Sequence, residues 1–161
     1  MTEPEQTPPS CEFGTDKLVF KLDTVIPSNI KVVDDTVAKI IVLIRSAYSS
    51  EEIERIDLAL REALINAIIH GNRSDPTKSV RICVALQPDN GVIIMVKDSG
   101  SGFDPRQLPN PIVGQNLLAS HGRGIFLINQ LMEDVSFSFE HGTEIRMSQH
   151  PSPQPPPDED K

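Results

Sequence analysis

The chain has no tryptophan, one tyrosine and six phenylalanines in 161 residues, so it carries almost no aromatic surface on which nucleic-acid bases could stack. It is also poor in clustered positive charge. The formal net charge is −8, of which Glu3, Glu5, Glu12 and Asp16 give −4 and the last four residues −2, leaving −2 for residues 17 to 157 and no basic stripe. Nucleic acid is therefore not expected as a direct partner, since phosphate binding needs grouped Lys and Arg. No run of eighteen apolar residues is present, which excludes a helical membrane span. The start, MTEPEQTPPSCEFGTD, lacks the basic and apolar regions of a secretory signal, and the expected location is the cytoplasm. Only two cysteines occur, Cys11 and Cys83, at a spacing that makes neither a disulfide framework nor a metal site; both are expected to be reduced and structural.

What is present is one domain's worth of patterned chain between two polar ends. Residues 1–16 are rich in Pro and Glu and 151–161 read PSPQPPPDEDK, compositions that cannot build a core and are expected to be disordered. In KLVFKLDTVI (17–26), Leu18, Phe20 and Leu22 alternate with polar residues as in a half-buried strand. Ile30, Val33, Val37, Ile40, Ile41 and Ile44 then recur at helical spacing after Ser28 as N-cap. A second helix is expected from a Ser49–Glu52 capping box to about His70, with Gly71 and Asn72 as stop signals. SVRICVAL (79–86) and VIIMV (92–96) read as strands joined by PDNG, a helix opens near Gly124, and VSFSFE and TEIRM form a closing hairpin around His141 and Gly142. Residues 106–120 show no periodicity, and a loop of that length in a small domain is usually a functional lid or disordered. The element order predicts an α+β fold: a two-layer α/β sandwich whose mixed, mostly antiparallel sheet carries its helices on one face.

Four stretches could carry chemistry. In EALINAIIHGN (62–72), Glu62 and Asn66 lie one turn apart on the only polar stripe of an apolar helix; they face either a ligand or structural partners such as Arg55 and Arg73. In DSGSGF, Gly100 and Gly102 allow close approach of the backbone to a ligand, and Asp98 offers an acceptor suited to an exocyclic amine, although the stretch alone also reads as an ordinary turn. HGRGIFLI places Gly122 and Gly124 at the start of a helix, where free N–H groups suit an anion; it is neither a P-loop nor the dinucleotide fingerprint. Thr143 in HGTEIRM opens the last strand, where threonine is ordinarily favoured by strand geometry alone.

Taken in order, Glu-x-x-x-Asn, Asp-x-Gly-x-Gly-Phe, lid, Gly-x-Gly-helix and Gly-Thr resemble the GHKL, or Bergerat-fold, ATPases over roughly residues 17–148. EALINAIIHGN, DSGSGFDP and HGRGIFLINQLMEDVSF look most like their small stand-alone serine kinases, which act as anti-sigma factors or partner-switching kinases in bacteria. The resemblance implies a kinase domain over 17–150 with an ATP lid at about 104–121. It implies ATP and Mg²⁺ as cofactors, with Asn66 on the metal and Glu62 as the general base. Asp98 and Thr143 would sit at the adenine, Gly100 and Gly102 beside the base, and Gly122, Arg123 and Gly124 at the phosphates. The implied partners are a STAS-domain antagonist, which is phosphorylated on serine or threonine, and a sigma factor or other regulator; a homodimer is expected. A nucleotide-binding sequestration module with negligible kinase activity is the alternative. A complete histidine kinase is disfavoured, because no helix with a phosphorylatable His precedes the domain.

Overall fold

The structure, a computed structural model, describes Phe13, residues 17–100, residues 122–153 and Pro155. The expected lid and Gly102 lie outside the described residues, as do most of the two ends expected to be disordered.

Five strands, β1 (Phe20–Pro27), β2 (Ser79–Leu86), β3 (Val92–Asp98), β4 (Asp134–Ser138) and β5 (Glu144–Gln149), form one sheet in the order β1-β2-β3-β5-β4. Three helices, α1 (Val33–Ile44), α2 (Ser50–Ile65) and α3 (Gly122–Leu131), accompany it. The expected two-layer α+β sandwich is what forms. The sheet is not mixed, however: every pairing among the described residues is antiparallel. Even the long β1–β2 connection, which passes through both α1 and α2, returns the chain beside β1 in the opposite direction.

Alternation decides which face meets the helices. Phe20, Leu22 and Ile26 of β1 stand opposite Leu86, Val84 and Val80 of β2; the three β2 residues are in the main core and the three β1 residues, partly buried, pack against it. Val37, Ile40 and Ile44 of α1, Ile56, Leu60, Ala63 and Leu64 of α2, and Ile128 of α3 close over them at 0–1% exposure. Full burial of such an Ile or Leu contributes about 1.5–3 kcal/mol, so α2 rests on a firm platform. The start of α1 differs from expectation. Asn29, not Ser28, supplies the cap, through Lys31 N–H to Asn29 Oδ1 (3.0 Å), and it caps a short 3₁₀ turn at Ile30–Val32 that precedes the α-helix. Ser28 is instead buried, and Ile30 is exposed and outside the apolar stripe.

The expected Ser49–Glu52 capping box starts α2: Ser49 N–H donates to Glu52 Oε2 (2.8 Å) and Glu52 N–H to Ser49 Oγ (3.3 Å). The end of that helix does not run on as α to His70. At Asn66–Gly71 it widens into a π turn, and Asn72 N–H reaches back five residues to Ala67 O (2.8 Å). One extra residue in the turn rotates the side chains beyond it, and Ile69 comes out 38% exposed although Ala67 and Ile68 just before it are buried.

The other face of the sheet is not bare. Cys83, Ala85 and Met95 are buried there, and Phe13 packs on Cys83 and Met95 with the cations of Lys21 and Arg146 at 5.7 and 5.2 Å from its ring centre. Cys83 is disulfide-bonded rather than reduced, which corrects the sequence expectation; Cys11 lies outside the described residues. At the far end of β5, the Tyr48 hydroxyl is 2.7 Å from the carbonyl oxygens of both Asn90 and Gln149. Beyond it Ser152 N–H donates to Glu52 Oε1 (2.6 Å), so residues just past the last strand are tied to the start of α2. Among the described residues no helix is long and apolar enough to cross a membrane.

Candidate functional site

The sequence-predicted residues that are described gather at the opposite end of the sheet, in two groups bridged by the π turn. The first surrounds Asp98, the last residue of β3, which is 4% exposed. Its Oδ1 accepts two backbone N–H groups, from Gly100 (2.9 Å) and Thr143 (3.1 Å), and its own N–H donates to Thr143 O (3.1 Å). Among the described residues no donor reaches Oδ2. Burial pushes the carboxyl above its ordinary pKa, and the Thr143 and Gly100 N–H groups, then Lys78 and Lys97, pull it the other way.

Glycine is required around this carboxylate for space. A Cβ at Gly71 would lie 1.9 Å from Asp98 Oδ2, and one at Gly100 would lie 2.1 Å from Gly71 O. Gly142 has φ +107° and backs onto Asp98 O, where a Cβ would stand at 2.6 Å. Three backbone segments, at the ends of the π turn, β3 and the β4–β5 turn, therefore converge on one acidic side chain and leave one of its oxygens without a partner.

The second group is Glu62 and Asn66 on the last turn of α2. Four residues apart, they share a face, and the first turn of α3 lies directly over them. A Cβ at Gly124 would lie 2.8 Å from Glu62 Oε2, 2.8 Å from Asn66 Nδ2 and 3.3 Å from Asn66 Oδ1. The structural alternative, pairing with Arg55 or Arg73, is not what forms: neither Glu62 nor Asn66 has a side-chain hydrogen bond or ion pair among the described residues. Asn66 Nδ2 is buried without any partner. A buried amide in that condition costs about 1–3 kcal/mol unless something else satisfies it.

Gly122 and Arg123 open α3, as expected for backbone N–H groups offered to an anion; the side chain of Arg123 lies outside the described ones. Among the described residues no three His, Cys, Asp or Glu side chains stand close enough to form a metal cage. The donor set at this end, one amide and one carboxylate, fits a hard divalent cation only if a bound anion supplies most of its oxygens.

Sequence reasoning misses three participants. Gly71 reads as a helix stop, Gly142 as a hairpin residue and Asn72 as a helix-end signal, yet all three shape the Asp98 pocket. Asn72 is fully buried; its Nδ2 donates to Ser79 O (2.9 Å) and its Oδ1 accepts from Ser99 N–H (2.8 Å). The readable signal is the unbroken HGN at the end of an apolar helix, but nothing local says which strand those residues will meet.

Residues 29–149 match the family model described as histidine kinase-like ATPase domain. Among curated proteins, the chain is similar to the serine-protein kinase RsbW of Oceanobacillus iheyensis, 30% identical over 112 residues that cover 66% of this chain and 70% of that protein. It is similar too to the proteins of that name from Listeria monocytogenes, at 27% identity with 66% and 71% covered, and Bacillus cereus, at 28% with 66% and 69% covered. Among solved structures, the RsbU and RsbW domains of a Mycobacterium tuberculosis protein superpose with a TM-score of 0.58 at 18% identity, over 81% of this chain and 32% of that one. The histidine kinase domain of an Erythrobacter litoralis blue-light activated histidine kinase gives 0.52 at 19%, over 79% and 62%. The chain thus spans about a third of the first of these structures and less than two thirds of the second, and at these identities the likeness is one of fold.

Proposed function

The chain belongs to the histidine kinase-like ATPase family, and from that premise we propose that it is a serine/threonine protein kinase using ATP with Mg²⁺. Its acceptor in this reading is a STAS-domain antagonist protein, and in the absence of acceptor it holds a sigma factor or other regulator inactive. The observation that carries the reading is the pair Glu62 and Asn66, which lie under the first turn of α3 with no side-chain partner among the described residues. The curated relatives named serine-protein kinase support it.

The adenine amino group would donate to Asp98 Oδ2, which has no donor among the described residues, while Oδ1 is held by Gly100 and Thr143. The triphosphate lies toward the N-terminus of α3, whose N–H groups and dipole favour negative charge. Asn66 contributes an amide oxygen to Mg²⁺; the cation, when bound, neutralises charge on the phosphates. Glu62 then accepts the proton of the acceptor hydroxyl as its oxygen bonds to the γ-phosphorus, and the electron pair of the broken bond leaves with ADP.

A second reading, nucleotide-dependent sequestration without transfer, needs Asn66 and Asp98 but not a base. Glu62 stands beside Asn66 with no structural partner among the described residues, which favours transfer. The two are separated by incubating the protein with γ-labelled ATP and STAS-domain proteins encoded near its gene. Label on a serine of one of them is the expected result. Tight nucleotide-dependent binding without label would leave the sequestration reading, and failure to bind ATP would remove both.

A further inference from the structure

We propose that Asn72 is a positioning residue that sets the selectivity of the site for its base. The inference rests on the proposed adenine role of Asp98. Asn72 closes the π turn, and its side chain reaches in two directions at once: Nδ2 to Ser79 O at the start of β2, and Oδ1 to Ser99 N–H just past β3. Ser99 Oγ donates to the same Ser79 carbonyl (2.9 Å), so three segments meet at one knot.

Two of those segments are the walls of the pocket. Gly71 precedes Asn72 and lies against Asp98 Oδ2; Asp98 precedes Ser99, and Gly100, on its other side, lies against Gly71 O. The width of the gap at Oδ2 is therefore the separation of the 71–72 and 98–100 backbones, and Asn72 is the one side chain that bonds across it among the described residues. Its burial at 0% exposure makes both bonds obligatory, since neither side-chain end has water to fall back on. Asn72 touches neither base nor phosphate; it acts through Asp98 and Gly71.

A merely structural residue and a positioning one differ in which ligand notices their loss. ATP offers Asp98 an amino group, whereas inosine triphosphate presents a carbonyl at that position and an N1–H beside it, on the same ribose and triphosphate. Equilibrium titration of both, with Mg²⁺, on the full chain and on Asn72→Ala is the test, with a thermal melt to establish folding. The expected result is a wild-type preference for ATP that narrows about tenfold in the variant, the scale of one lost buried hydrogen bond, with inosine triphosphate affinity changed by less than about twofold. Equal weakening of both nucleotides, or an unchanged ratio, overturns the proposal. A wild type without preference overturns the adenine role of Asp98 itself, which is a different failure. Should Asn72→Ala not fold, Ser99→Ala removes one bond of the knot without opening a buried hole; the ratio should narrow by about threefold, and a ratio equal to wild type overturns the proposal.

Discussion

The two halves of the candidate site are built on opposite terms. Around Asp98 the protein ties down its polar groups with one carboxylate oxygen excepted: two N–H groups on Oδ1, a backbone bond to Thr143, and the Asn72 knot behind them. Around Glu62 and Asn66 no side-chain bond forms among the described residues, and a buried amide nitrogen stands without a partner there, four residues from a carboxylate that has none either. The first half is a mould whose shape exists before any ligand arrives; the second carries a free-energy cost that a ligand relieves. Recognition of a base needs fixed geometry, and group transfer needs side chains that are still available, so the contrast matches the division of labour proposed for them.

The sharpest break of that contrast removes chemistry and leaves shape. Glu62→Ala should lower phosphoryl transfer by about a hundredfold or more while ATP affinity holds, measured by single-turnover transfer beside equilibrium titration; undiminished transfer rules out Glu62 as the base. Next, Asn66→Ala should weaken Mg²⁺-dependent ATP binding by about tenfold. Because its buried amide nitrogen has no bond to lose among the described residues and its burial is itself a cost, the ligand-free variant should unfold with a free energy equal to or up to about 1 kcal/mol above wild type, read by denaturant titration. A large destabilisation would show that Asn66 is held structurally after all. On the other side, Asp98→Asn should narrow ATP-over-GTP discrimination by several-fold, about 1 kcal/mol, because a neutral amide is a weaker acceptor for the amine; equal discrimination removes Asp98 from the base pocket.

The smallest effect lies away from both halves. Burial works against the charged form of Glu52, but the N–H groups of Ser49 and Ser152 outweigh it and hold the carboxyl down to about 2, from an ordinary 4.5. A carboxyl depressed on folding stabilises the protein fully above its unfolded value and loses that contribution as pH falls from about 4.5 toward 2. Glu52→Gln should therefore lower Tm by about 3 °C at pH 7, with the difference shrinking below about pH 4.5 and closing only near pH 2, as thermal melts across that range would record. A constant difference between the two proteins would show that the charge of Glu52 contributes nothing.

Much of this is legible in advance. Period-two alternation in β1 and β2, the capping box of α2 and the glycine pair opening α3 are local signals, and each produces the element it announces. Glu62, Asn66, Gly124, Asp98, Gly100 and Thr143 can be nominated because their spacing along the chain resembles that of a known family. What stays hidden depends on encounters between distant segments. The π turn is a one-residue insertion with no composition of its own, so the apolar pattern places Ile69 inside when it faces out. Gly71 and Gly142 look like turn residues until Asp98 is set between them, and the partners of Asn72 lie 7 and 27 residues away. Phe13 and Ser152 belong to ends whose polar composition gives no hint of a contact, yet both meet the folded core.

The clasp at Tyr48, Glu52 and Ser152 joins the first turn of α2 to the last residues of β5 and just beyond. Those two elements run from there to the site, α2 ending at Glu62 and Asn66, β5 beginning next to Thr143 and Asp98. They are the arms of a pair of tongs riveted at one end, with the proposed reacting groups on one tip and the proposed base pocket on the other. Loosening the rivet, as by acid reaching Glu52, is therefore the way to test whether the two tips are coupled through these elements without touching a residue at either one.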